Sequence, residues 1–160
     1  GEGPVSTMPQ VESWNGTSWT EVAELNTNRK LSSAFGLSGD AVTNATGSNP
    51  TVTNLTNCEQ WNGSSWTEIA DVSTATRVGS GGGSLNNGFK FGGYSTANTA
   101  TTELWNGTSW TEVSDLGTAR DSLAGSGTTT GALAVGGGDP GIATTEEWSV
   151  AETNKTITVS

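Results

Sequence analysis

Large apolar residues flank short polar turns along the chain. In residues 14–22 one Trp precedes the dipeptide Asn-Gly and a second Trp follows it, ahead of Thr-Glu-Val. Asn-Gly between two such segments is a strong signal for a β-hairpin, because a type I′ turn needs positive φ at both central residues. Helical apolar spacing occurs nowhere, so the pattern predicts strands and essentially no helix.

This hairpin pattern is repeated. It returns at residues 61–69 and 105–113, and its first Trp occurs a fourth time as Trp148. The first Trp residues are 47, 44 and 43 positions apart. Between them lie further strand candidates, such as residues 88–93 and 131–137, separated by Gly-, Ser- and Asn-rich turns. About four short strands in roughly 40–50 residues is the pattern of a β-propeller blade.

Two turn lengths are compatible with each hairpin. A two-residue loop pairs Trp14 with Thr17 and leaves Trp19 diagonal to Trp14, whereas a four-residue loop sets the two Trp directly opposite. Both place the indoles on one face, because side chains alternate along a strand. We expect both Trp of a copy to be mostly buried between sheets, and Trp148, which has no hairpin partner, to be partly exposed.

The repeats divide the chain into an N-terminal arm, residues 1–10, and an all-β repeat domain, residues 11–160. This domain comprises a half-repeat, 11–30, and the repeats 31–76, 77–119 and 120–160. About three and a half four-stranded antiparallel repeats are too few for a ring of roughly four to eight blades. We expect the ring to be completed by further sequence or by another chain, or the chains to stack edge to edge into a fibre.

Composition excludes several functions. The 160 residues include no His, one Tyr and one Cys, so the commonest general base and metal ligand is missing. We therefore expect no catalytic, cofactor or metal site. A net charge of −10 disfavours nucleic acid and anionic membranes, and no apolar run is long enough to cross a bilayer. Seven Trp compensate for a hydrophobic content of only 31%.

Two other features favour structural interpretations. Cys58 has no flanking basic residue, so a small, partly buried strand residue is expected rather than a reactive thiol. Residues 136–141, Gly-Gly-Gly-Asp-Pro-Gly, could suggest a calcium loop. One Asp supplies too few oxygen ligands, so a plain tight turn is expected.

Several positions recur in an order that resembles kelch repeats. That family carries a Gly-Gly pair, an acidic residue two positions before an aromatic residue, a further Trp, and an Arg near the next blade. The matching positions here are Gly92, Gly93, Glu103, Trp105, Trp110 and Arg120, then Gly136, Gly137, Glu146 and Trp148, and earlier Glu12, Trp14, Trp19, Arg29, Glu59, Trp61, Trp66 and Arg77. The first full repeat lacks the Gly-Gly pair.

The amino-acid sequence of the repeats, over about residues 11–150, is similar to that of the kelch-like arrays of bacteriophage tail-fibre and virion surface proteins. The resemblance implies a propeller whose repeated Glu are buried and paired with the Arg of neighbouring blades. It also implies a non-enzymatic structural or adhesion protein on a virion surface or in an extracellular location. Its expected partners are further copies, other virion proteins and host-surface glycans.

Two alternatives remain open. The supply of Trp and six sequons are compatible with a secreted carbohydrate-binding or glycosylated fibril protein; the sequons are Asn15, Asn44, Asn54, Asn62, Asn106 and Asn154. The hairpin turn accounts for Asn15, Asn62 and Asn106 without any glycan. An enzyme on a propeller scaffold is disfavoured, because a carboxylate repeated in every copy is typical of packing rather than catalysis.

Overall fold

The computed structural model describes residues 9–39, 41–138 and 141–149. These residues form strands and loops without an α-helix, which confirms the all-β prediction. The strands are β1 (Val11–Trp14), β2 (Trp19–Val22), β3 (Ser33–Ser38), β4 (Ala41–Ala45), β5 (Cys58–Trp61), β6 (Trp66–Ile69), β7 (Ser80–Ser84), β8 (Asn87–Phe91), β9 (Thr102–Trp105), β10 (Trp110–Val113), β11 (Ala124–Thr128), β12 (Gly131–Val135) and β13 (Thr145–Ser149). Most of the predicted N-terminal arm lies outside the described residues.

The strands form four antiparallel sheets in chain order. The first sheet contains β1 and β2, the second β3 to β6, the third β7 to β10, and the fourth β11 to β13. Within each sheet, every strand pairs with the next strand along the chain. The described parts of the four sheets fall within the half-repeat and the three repeats that the sequence indicates.

The second, third and fourth sheets meet along their first strands. β3 packs against β7, and β7 packs against β11. Glycine makes this approach possible, since a Cβ on Gly88 would overlap the ring of Phe35, and one on Gly125 would overlap the ring of Phe91. One apolar cluster, which includes Phe89, Phe91 and Leu123, joins the third and fourth sheets.

A short hydrogen-bond ladder marks equivalent positions in the repeats. The Val78 amide donates to the Leu31 carbonyl at 2.8 Å, and the Ser122 amide donates to the Val78 carbonyl at 2.7 Å. All three residues have positive φ, between 50° and 58°. This unusual conformation for L-residues recurs just before β3, β7 and β11, the first strands of the second, third and fourth sheets, so it defines how these repeats align.

The Gly-Gly turn is kept even where the Gly-Gly sequence is missing. Gly92 and Gly93 have φ of 61° and 108°, and in the first full repeat Thr46 and Gly47 adopt 62° and 101°. A Cβ on Gly93 would lie 2.8 Å from the Arg77 carbonyl oxygen, so the second position requires glycine. The first position tolerates a buried Thr.

No helix in the described residues is long and apolar enough to span a membrane.

Candidate functional site

The three Trp hairpins share one local geometry. Trp14 lies directly opposite Trp19, and the register is equivalent for Trp61 and Trp66. The connecting loop is therefore the four-residue alternative. Its Asn stabilises the turn through its side chain, because the Asn15 Oδ1 accepts hydrogen bonds from the amides of Thr17 and Ser18 at 2.9 and 3.0 Å. Gly16 supplies positive φ, at 97°.

The two indoles of each hairpin lie on one face, as predicted. The ring centroids are 5.5 Å apart for Trp14 and Trp19, and 5.3 Å apart for Trp105 and Trp110. The planes are tilted by 45° and 41°, a favourable arrangement for an aromatic pair.

Burial separates the hairpins and corrects the prediction that all pairs are mostly buried. Trp105 and Trp61 are 2% and 5% exposed, whereas Trp14 and Trp19 are 50% and 63% exposed. Trp110 is partly buried against the second sheet, where its Nε1 donates to the Ala70 carbonyl at 3.0 Å. Trp66 is likewise partly buried. Trp148 is partly exposed, as expected, but it is less exposed than Trp14 and Trp19. The physical reason is that no sheet covers the Trp face of the first sheet within the described residues.

An open cleft of about 690 Å³ lies between the first and second sheets. Its lining includes Glu12, Trp14 and Trp19 from the first sheet, and Val42 and Asn44 from the second. Trp61 and Trp66 also reach it. The side-chain oxygen of Asn44 is buried and finds no hydrogen-bond partner among the described residues, so this wall carries an acceptor that they leave unused.

The second and fourth sheets use a Glu–Arg pair to hold the loop that leads into the sheet. Glu59 accepts hydrogen bonds from the amides of Asn26 and Thr27 and pairs with Arg29 at 2.6 Å. Both charged side chains are 1% exposed. Arg29 also donates to the Thr46 carbonyl, so it ties the incoming loop to the turn after β4.

The fourth sheet repeats this arrangement. Arg120 pairs with Glu146, and its guanidinium also donates to the carbonyls of Gly136 and Thr144, at 3.1 and 2.9 Å. The amides of Gly117 and Thr118 donate to the same carboxylate. The predicted pairing of Glu with Arg is therefore present in two of the sheets.

The third sheet departs from the prediction, because Arg77 does not pair with Glu103. The cation there is Lys90 of β8, whose Nζ lies 3.4 Å from Glu103. Arg77 instead donates to Asn54 at 2.8 Å and stacks on the ring of Tyr94. The positive-φ ladder aligns Thr76, and not Arg77, with Arg29 and Arg120, which are likewise two residues before a ladder position.

The sequence contains a signal that identifies Thr76, and not Arg77, as the residue at the repeat's Arg position. A Thr precedes the Arg position by two residues in each repeat, as Thr27, Thr74 and Thr118. Counting from that Thr places Thr76 at the position that is Arg in the other repeats. A buried lysine on the neighbouring strand fills the space that the shorter Thr leaves.

Burial shifts two pKa values. Desolvation lowers the pKa of Lys90, and the nearby Glu103 carboxylate opposes the shift. Desolvation also raises the pKa of the Cys58 thiol to about 11, against a partial counter-effect of backbone hydrogen bonds. Cys58 is fully buried beside Val72 and Trp110, so the thiol is a packing group.

The sequons fall into two structural classes. Asn15, Asn62 and Asn106 lie in exposed turns, where each side chain accepts backbone hydrogen bonds. Asn54 is engaged in packing, since its Nδ2 donates to the carbonyls of Tyr94 and Ser95. Asn44 lies within β4. Asn154 lies outside the described residues.

Candidate metal ligands do not cluster in the described residues. No group of three or more Asp, Glu or Cys is placed there to hold a metal ion. Within the loop at 136–141, Asp139 and Pro140 lie outside the described residues. Among the Glu residues two positions before the first Trp of each repeat, Glu12 is the exposed one. The first sheet offers exposed aromatic rings for stacking.

Comparison with known proteins gives a fold and no family. No family model matches the chain, and no curated protein matches it. Among solved structures the chain is similar to the "Structure of YjhT", with a TM-score of 0.77 over 90% of this chain at 14% identity. This chain spans 50% of that chain's length. At this identity the likeness concerns the fold alone.

Proposed function

We propose that this chain is part of a kelch-like β-propeller that serves as a non-enzymatic structural or adhesion scaffold on a virion surface or appendage. The observation that carries the proposal is the repeated clamp between sheets. The clamp is formed by Glu59, Glu103 and Glu146. Each carboxylate accepts hydrogen bonds from backbone amides and forms an ion pair with a cation, so it holds neighbouring sheets together. A carboxylate whose oxygens are occupied by these partners favours a structural role.

The exposed ends of the array support a role in assembly. Trp14 and Trp19 cover the face of the first sheet, while Leu133 and Val135, at 46% and 45% exposed, lie on the fourth sheet. Their equivalents on β8, Phe89 and Phe91, are only 2–3% exposed because the next sheet covers them. In the proposed ring, further blades cover both ends. Those blades come from further sequence or another chain.

Virus particles of the source test the location. Density-purified particles are divided into intact virions and virions stripped of appendages, and both are analysed by mass spectrometry and immunogold labelling against residues 9–149. We expect the chain on the surface or in the appendage fraction, with rings visible by electron microscopy. Recovery of the chain from virus-free cell walls, and its absence from particles, would overturn the proposal.

Carbohydrate binding is the second candidate, and the cleft favours it. Two exposed indoles, Trp14 and Trp19, stand beside Glu12 in an open space large enough for sugar rings. A glycan array compares the wild type with Trp19→Ala, and Trp110→Ala serves as a control, because Trp110 holds the equivalent position in the third sheet and lies outside the cleft. Binding that disappears only with Trp19→Ala, at an unchanged melting temperature, supports the candidate. An array without hits removes it, and an intact mass of 16.3 kDa removes the glycosylated version.

A further inference from the structure

Four Asn-Gly steps occur in the chain. Asn15, Asn62 and Asn106 lie at the tips of the three Trp hairpins, and Asn87 begins β8. Such a step is prone to deamidation, because glycine has no side chain to keep its amide nitrogen away from the Asn side-chain carbonyl. The surroundings of each step therefore decide which of the four stays reactive in the folded chain.

The tip of the second hairpin is open. Asn62 and Gly63 are both exposed, in a sheet whose four strands all lie in the described residues. Gly63 has a φ of 91° and lies between β5 and β6, and its amide donates to no described residue. The nitrogen that would attack the Asn62 side chain is therefore neither buried nor held in the strand pairing.

Three donors surround the side-chain oxygen of Asn62. The amides of Ser64 and Ser65 each donate to Oδ1 at 3.0 Å, and the Ser64 hydroxyl donates to it at 2.9 Å. When a nucleophile adds to the side-chain carbonyl carbon, negative charge develops on this oxygen. Donors that already point at it lower the barrier to the addition.

The other two hairpin tips differ from the second in details that slow the reaction. The Asn15 Nδ2 donates to the Ser18 hydroxyl at 3.3 Å, and the leaving amino group is thus held. The Asn106 Nδ2 donates to the Ser109 hydroxyl at 3.2 Å in the same way. In both turns the described donors to Oδ1 are two amides, without a hydroxyl. Gly107 is in addition partly buried.

The fourth step is held by the third sheet. Gly88 is buried in β8, where it pairs with Gly83 on one side and Trp105 on the other. The Asn87 Oδ1 accepts a hydrogen bond from the Thr129 hydroxyl of the fourth sheet at 3.2 Å. The Gly88 nitrogen cannot reach the side chain without local opening of the sheet, so this step is protected.

We infer that Asn62 is a site of spontaneous covalent modification, the fastest of the four, at which the Gly63 amide nitrogen attacks the side-chain carbonyl carbon and closes a succinimide. The Gly63 N–H proton passes to solvent and the new N–C bond forms. The Cγ–Nδ2 bond breaks, and the amino group takes a proton from solvent and departs as ammonia. Water then opens the ring, at the side-chain carbonyl to give aspartate or at the backbone carbonyl to give isoaspartate. The inference goes beyond the proposed function and does not depend on it.

The two products have different effects on the hairpin. Aspartate keeps the acceptor oxygen, so the amides of Ser64 and Ser65 donate to a carboxylate and the turn persists. Isoaspartate routes the backbone through the side chain and adds a methylene group between Trp61 and Trp66, so their direct pairing is lost. Either product removes the Asn of the sequon and prevents glycosylation there.

The test incubates the full folded chain at mildly alkaline pH in water labelled with heavy oxygen, which enters the product when the ring opens. Peptide mapping by mass spectrometry follows all four steps. We expect Asn62 to react about threefold faster than the other hairpin tips and at least about tenfold faster than Asn87. In urea the four steps should react at similar rates, because unfolding removes both the turn donors and the strand pairing.

Two variants act on the second tip alone. Ser64→Ala removes the hydroxyl donor and keeps both amides, so it should slow the reaction at Asn62 about threefold at an unchanged melting temperature. Gly63→Ala should slow it at least about tenfold, because a Cβ crowds the attacking nitrogen. An Asn62 that stays unlabelled in the folded chain, or that reacts no faster than Asn87 and the other tips, would overturn the inference.

Discussion

Residues 14–22 and 105–113 have the same nine-residue sequence and opposite environments. Both form the same hairpin with the same Trp pairing. Trp14 is 50% exposed and Trp105 is 2% exposed. The comparison shows that local sequence fixes the hairpin, whereas the presence of a neighbouring sheet decides whether its aromatic face is core or surface.

Removing the first Trp of each copy should give the largest difference between the two hairpins. Trp105→Ala should cost about 3–5 kcal/mol of unfolding free energy, because it empties a packed site. Trp14→Ala should cost below about 1 kcal/mol, mainly the loss of its cross-strand partner Trp19. Urea unfolding followed by far-ultraviolet circular dichroism measures both. Equal costs would mean that Trp14 is also buried in solution.

The carboxylates two residues before each Trp extend the comparison. Glu103→Gln should cost about 3 kcal/mol, because it leaves Lys90 buried beside a neutral partner. The cost stays at the low end of the range for such pairs, because Lys90 can release its proton. Glu12→Gln, its matched control, should leave the unfolding free energy unchanged. An unchanged unfolding free energy for Glu103→Gln would show that the stability of the fold does not depend on the charge of Lys90.

Cys58 reports on packing under the buried hairpin, because it lies in the cluster that Trp110 covers. Its pKa is raised to about 11 in the folded state from an ordinary 9.0. The thiol's contribution is therefore complete below pH 9 and is lost as the pH rises through about 11. Two pKa units correspond to about 2–3 kcal/mol.

The measurement compares the unfolding free energies of the wild type and Cys58→Ala at several pH values between 8 and 11. Lys90 is present in both proteins, so its opposite alkaline dependence largely cancels in the difference, apart from the effect of the Cys58 charge on the pKa of Lys90. The wild type should lose more stability than the variant over this range. Parallel curves would mean that the thiol is already accessible to water.

The cation of the third sheet can be exchanged for the Arg of the other sheets. Lys90→Ala alone should destabilise the third sheet, because Glu103 loses its cation. Adding Thr76→Arg should recover about 1–2 kcal/mol, since a charge-assisted hydrogen bond is restored from the position that Arg120 holds in the fourth sheet. Arg77 provides the control, because Thr76→Arg should act the same with Arg77→Ala present. Thermal unfolding of these variants decides whether position 76 is the repeat's Arg position.

The turn glycines should show the smallest and most nearly equal effects. Gly16 and Gly107 have φ of 97° and 92°, so Ala at either site should cost about 1 kcal/mol in backbone strain. A Cβ meets nothing within 4 Å at Gly16 and Asn86 at 3.3 Å at Gly107, so neither site adds a severe clash. Amide exchange within each hairpin measures the local cost. A much larger effect at Gly107 would mean that tertiary packing also shapes the turn.

The sequence alone determined the features that depend on neighbours along the chain. The period of the Trp residues, the hairpins, the absence of helix in the described residues and the shared face of each Trp pair follow from turn chemistry and side-chain alternation. The identical segments confirm this, since Trp14 and Trp105 meet their partners in the same register. The turn length needed the structure, because Asn-Gly is compatible with both loops.

Only the tertiary structure decided burial and pairing between sheets. Trp14 and Trp105 cannot be distinguished by their own segments, because the atoms that cover Trp105 belong to other strands. The cation of Glu103 likewise comes from β8, since Thr76 is too short to reach it and Lys90 faces it across the strand pair. Contacts between residues far apart in the chain depend on how sheets stack, which a local pattern does not encode.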